Sequence, residues 1–84
     1  MSQRDRALTA FGKSLRRERE TRSLTQEKLA EKASLDPTYI SGIERGVRNP
    51  SLLSIVRIAK ALGTTTSHLS RGIEGRRVVS DGTN

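Results

Sequence analysis

The stretch TQEKLAEKASLDPTYISGIERG, residues 25–46, decides how this chain folds. It holds two helix starts with a sharp turn between them. Thr25 is placed to cap the first helix, its hydroxyl accepting a hydrogen bond from a backbone N–H that has no partner inside the helix. Residues 26–32 then carry Leu29 toward Ala33 on one face, with Ala30 beside them. Asp36 and Pro37 mark the second start: a capping carboxylate, then a proline at the first helical position, where a missing N–H costs nothing. Ile40 and Ile43 face inward from that second helix.

Only the segment from Ala33 to Asp36 separates the two helices, so they must cross closely, and the small Ala30 permits the approach. The crossing fixes the polar face of the second helix, with Thr38, Ser41 and Arg45, at one angle to the body. A helix held in this way fits a DNA major groove, roughly 12 Å wide.

The string resembles the helix-turn-helix of the Cro and phage-repressor (Xre-like) family. Gln26 at the start of the first helix, Ala30, Ile40, and the ending Ile43-Glu44-Arg45-Gly46 fall where that family has them. The likeness continues through Arg48-Asn49-Pro50-Ser51-Leu52 and Leu62-Gly63, and covers about residues 8–73. The run from Thr38 to Arg45 also resembles the controller proteins of restriction-modification systems. This resemblance implies an all-α fold: a compact five-helix domain of the lambda-repressor-like type over residues 1–73, with helices 2 and 3 as the helix-turn-helix. Two positions depart from the pattern. Ser34 stands where the family commonly has a glycine, so a left-handed backbone there carries strain of about 1 kcal/mol. Gly42 stands at a position read as surface, where relatives often carry a long polar side chain; a mid-helix glycine costs about 1 kcal/mol relative to alanine.

Composition narrows the partner. The chain of 84 residues has 16 lysines and arginines against 9 acidic residues, a net charge of +7, which favours a polyanion. Its length suits one small domain. Cysteine is absent, which removes disulfides and thiolate metal sites. No apolar run approaches the roughly 18 to 20 residues that span a bilayer, and the charged N-terminus lacks a secretory apolar segment, so a cytoplasmic protein is expected.

Outside the central stretch, residues 1–6 read as a frayed, polar start. From Ala7 to about Thr21, Leu8, Phe11 and Leu15 form the stripe of an amphipathic helix. Arg19 continues that stripe, where an unpaired guanidinium would lose several kcal/mol of hydration. The resemblance implies a partner in Glu44; the alternative is a stem along the surface with its head in water. A fourth helix from about Ser51 to Leu62 is expected to bury Leu52, Ile55, Ile58, Ala59 and Leu62, with Leu53 and Val56 off that face. A short fifth helix, about residues 66–71, buries Leu69. His68, the sole histidine, reads as a solvated side chain with no metal role. Residues 74–84 read as a flexible tail with a basic pair, Arg76 and Arg77.

The functional expectation is a sequence-specific transcriptional regulator, a repressor or controller that binds palindromic operator DNA through residues 37–45. Gln26 and Asn49 are expected on phosphate, the former aided by the helix dipole. Thr38, Ser41, Arg45 and Arg48 are the candidate base readers, with Tyr39 straddling the groove edge and backbone. One such domain covers few base pairs, so a homodimer is expected, with Leu53, Val56, Leu69 and Ile73 as candidate contacts. The competing reading is an antitoxin-like protein-interaction module whose DNA contact is secondary. An enzyme fares badly: there is no glycine-rich phosphate loop, and no carboxylate pair is gathered in a cleft. No cofactor, membrane or small-molecule ligand is expected.

Overall fold

In a computed structural model, which describes residues 2–73, the chain is all-helical: α1 (Gln3–Thr21), α2 (Gln26–Ala33), α3 (Pro37–Glu44), α4 (Leu52–Leu62) and α5 (Thr66–Ser70). The flexible tail expected over residues 74–84, with Arg76 and Arg77, lies outside the described residues. Each helix starts on a side-chain cap. Thr25 accepts from Lys28 N, Asp36 from Thr38 N, Ser51 from Ser54 N and Thr65 from His68 N, which satisfies donors that the helix itself leaves orphaned.

Helix α1 starts earlier than its apolar stripe suggests. Ser2 caps it, and the Asp5 carboxylate reaches back to the Ser2 N–H, closing a capping box. The residues read as frayed are therefore helical from Gln3 on.

The core gathers Phe11 and Leu15 of α1, Leu29, Ala30 and Ala33 of α2, Ile40 and Ile43 of α3, Ile58, Ala59 and Leu62 of α4, and Leu69 of α5. Helix α2 packs on α3 and α4, and α1 packs on α3 and α5. Ala30 is buried at the α2–α3 crossing. The α1–α3 approach is closer still: a Cβ on Gly12 would fall 2.4 Å from the Ile43 carbonyl oxygen, so only glycine fits.

The reading of α4 was wrong at its first residue. Leu52 is 75% exposed, because the buried row runs through Ser54, Ile58 and Leu62, spaced by four, and Leu52 lies across the helix from it. Ser54 is accommodated by a hydrogen bond with the Ser51 hydroxyl, 2.9 Å away.

Polar ties hold the periphery. The buried Ser14 Oγ donates to the Leu69 carbonyl at 2.7 Å, fastening α5 to α1. Arg22 Nε donates to the Leu62 carbonyl at 2.6 Å, capping the C-terminus of α4, and its Nη1 meets Glu18 at 2.8 Å. His68 is not simply solvated: its Nε2 lies 3.2 Å from the second oxygen of Glu18. The turn residue Ser34 is left-handed, φ 57, and its N–H turns back to the carbonyls of Ala30 and Glu31.

Two outcomes follow from these contacts. Ser34→Gly is expected to stabilise the fold by about 1 kcal/mol, because glycine carries no Cβ penalty in the left-handed region; thermal unfolding measures this. The Arg22 hydrogen bond, against opposing burial and aided by His68, lowers the Glu18 pKa from its ordinary 4.5. A lowered folded value means that this stability is whole above the unfolded value and is lost as the pH falls through the folded one. Glu18→Gln should flatten the stability profile below about pH 4.5, read from denaturant midpoints at a series of pH values.

Candidate nucleic-acid interface

The site rests on a buried ionic knot between α1, α2 and α3. Arg19 Nε donates to Glu44 Oε2 at 2.6 Å, and its Nη2 donates to Oε1 at 3.0 Å, a fork that matches the carboxylate plane. The side chains are 11% and 3% exposed. Arg19 Nη1 donates to the Leu24 carbonyl at 2.7 Å, and Gln26 Nε2 donates to Glu44 Oε1 at 3.0 Å. Glu44 Oε1 thus has two donors and Oε2 one, and such hydrogen bonding is what a buried pair needs to offset desolvation. The Glu44 hydrogen bond raises the Arg19 pKa above its ordinary value, against the opposing effect of burial.

With α3 held at its end by Glu44 and at its start by Asp36, whose carboxylate accepts from Thr38 N at 2.7 Å, the outer face is set. Thr38, Arg45, Arg48 and Asn49 are exposed, and Ser41 is half-buried between them. Asp36, Thr38, Tyr39 and Arg48 line a shallow concavity on this face.

Three expected roles take a different physical form. Gln26 is engaged with Glu44, so one amide hydrogen is used inside the fold and one remains for a phosphate. Tyr39 is half-buried: it lines the concavity, and its Oη is engaged within the fold, accepting a hydrogen bond from Ser51 N at 3.2 Å. Burial would raise its pKa, but hydrogen bonds with Ser54 and Ser51 and the charge of Arg48 outweigh this and lower it. The Arg48 guanidinium lies over the Tyr39 ring, 5.1 Å from its centre, in cation–π contact. Gly42 is not an open surface position; it is buried under the Arg48 stem, and a Cβ there would fall 2.2 Å from Arg48 Cγ. A mid-helix glycine was a visible signal, but its partner comes from the loop after α3 and no local pattern links them.

The candidate dimer residues divide. Leu69 is completely buried in the core of its own chain and is unavailable to a partner, so it is withdrawn. Leu53 is 58% exposed, while Val56 and Ile73 are half-buried. Leu52, expected in the core, instead lies on the same outward arc of α4 as Leu53 and Val56.

Two short helices crossing closely, the second with a polar outward face and flanked by exposed arginines, define a helix-turn-helix DNA-binding protein. The helix-turn-helix family model matches residues 15–69, and the chain belongs to that family. It is 50% identical over 60 residues to control protein C.BamHI of Bacillus amyloliquefaciens, covering 70% of this chain and 74% of that one. It is 43% identical over 65 residues to control protein C.MunI of a Mycoplasma species, covering 76% and 88%. Among solved structures, the restriction-modification controller protein C.AhdI from Aeromonas hydrophila superposes with a TM-score of 0.73 at 44% identity, covering 74% of this chain and 94% of that one. The protein is a DNA-binding transcriptional regulator. Among the described residues, no helix is long and apolar enough to cross a membrane.

Arg19→Ala is expected to destabilise the domain by about 3 kcal/mol or more, since it strands a nearly buried carboxylate. The double change Arg19→Met with Glu44→Leu removes both charges and should cost less than the sum of the single changes, a coupling that denaturant unfolding of the three variants measures.

Proposed function

We propose that this regulator acts as a homodimer on a palindromic operator, with α3 in the major groove of each half-site, and that it controls genes of a restriction-modification system. The observation that carries this reading is the convergence of Thr38, Ser41 and Arg48 on one outward face whose angle is set by the Arg19–Glu44 knot. The likeness to control proteins supports the biological setting.

Binding divides into positioning and reading. The remaining Gln26 amide hydrogen, the first N–H groups of α2 and the exposed Asn49 hold phosphates, where the helix dipole favours an anion. Arg48 reads a base pair, its fork matching the two major-groove acceptors of guanine. Thr38 and Ser41 add shorter contacts, and Arg45, at the C-cap of α3, reaches base or phosphate. Leu52, Leu53, Val56 and Ile73 form the apolar contact that places two α3 helices about one DNA turn apart, roughly 34 Å. Bound at a promoter, the dimer excludes or recruits RNA polymerase.

Selection from a random duplex library, followed by footprinting at several salt concentrations, tests this. The expected product is a palindrome protected over both half-sites. Arg48→Ala should relax the preference at one base pair per half-site, a loss of about 1–3 kcal/mol in discrimination. Affinity that depends on salt but not on sequence would reduce the function to nonspecific binding. In sedimentation, Leu53→Glu should shift the protein from dimer to monomer; a wild-type chain that stays monomeric with and without the selected duplex would exclude the dimer.

A further inference from the structure

We propose that Gly42 sets the specificity of this protein: by having no side chain, it seats Arg48 across α3 and fixes the pose in which that arginine meets DNA. The inference rests on the reading of Arg48 as a base contact.

The seat has three walls. Val47 N and Arg48 N both donate to the Gly42 carbonyl, at 3.0 and 3.2 Å, so the Arg48 backbone is pinned beside Gly42. The Arg48 stem then lies over the glycine, where a Cβ would fall 2.2 Å from Cγ and 3.3 Å from Cβ of the arginine. Tyr39, three residues earlier on α3 and held at its hydroxyl by Ser51 N, receives the guanidinium over its ring at 5.1 Å. Because Cγ is in the middle of the arginine stem and its backbone is fixed, a side chain at position 42 cannot be met by bending the tip. Arg48 must instead rotate off α3 and leave the Tyr39 ring.

Glycine in mid-helix is otherwise disfavoured relative to alanine, and Gly42 has no positive φ that would call for it. What glycine supplies here is space for one loop arginine. Seating loses the rotamer freedom of Arg48 on folding rather than on binding, so the guanidinium meets DNA preorganised.

The test compares the full-length wild type with Gly42→Ala, Arg48→Ala and the double variant. Folding is followed by circular dichroism, the seat by NMR, and base preference by selection from a random duplex library. In the wild type, the Arg48 side-chain protons should be shifted upfield by the single tyrosine of the chain. Gly42→Ala should remain folded, lose that shift, and lose about tenfold of the discrimination at the base pair that Arg48→Ala also relaxes. The double variant should lose no more than either single one. If Gly42→Ala keeps the upfield shift or the wild-type preference while Arg48→Ala loses the preference, the role of Gly42 is overturned. If Gly42→Ala abolishes the shift but neither single variant changes the preference, Arg48 is not a base reader, and the proposal falls with that reading although the seat exists.

Discussion

A buried guanidinium-carboxylate fork governs this small molecule. Arg19 belongs to the first helix and Glu44 to the end of the third, and their contact, with Gln26 and the Leu24 carbonyl as further partners, joins three helices at one point. An apolar contact at the same place would hold the helices together but tolerate sliding, whereas two parallel hydrogen bonds to a carboxylate fix direction as well as distance. Burial makes that constraint stringent, because any displacement leaves a charge without solvent or partner. The Gly12 approach to the Ile43 carbonyl enforces the same spacing through the backbone.

Asp36 caps the other end of α3, so the recognition helix is held at both termini. The loop that follows then folds back on the Gly42 carbonyl and lays the Arg48 stem across the helix while the residue stays exposed. The ties described at α3 therefore hold the face proposed to meet DNA. Elsewhere, α5 is tied to α1 by one serine and by the Glu18–Arg22–His68 cluster. Among the described residues, the apolar arc of α4 with Leu52 and Leu53 is left uncovered.

Much of the fold was legible because its signals are local. Thr25, Asp36-Pro37 and Gly63 act within a turn of where they stand, and Ala30 announces a close crossing by its size. The left-handed Ser34 was legible only through the family resemblance, which has a glycine at that position. What sequence could not supply was the phase of helices with mixed polarity. Leu52 looked like core because it opens an apolar run, yet the buried row is led by Ser54, whose polarity is masked by Ser51. Ser2 and Asp5 extend α1 by capping chemistry where no apolar residue marked it. At the interface, the residue types were readable but their mutual contacts were not. Tyr39 is tied through its hydroxyl to Ser51, and Gly42 is roofed by an arginine from a different segment, relations that exist only after the chain has folded.

If the fork fixes α3 as the surface that enters the major groove, DNA must perturb that surface before any other. Amide chemical-shift mapping of the full chain, titrated with a duplex selected for tight binding and with a scrambled duplex, addresses it most directly. Specific, saturable shifts are expected at Thr38, Ser41, Arg48 and Asn49, together with the start of α2, and weaker shifts with the scrambled duplex. Specific shifts confined to α4 and α5, with α3 unaffected, would contradict this role of α3.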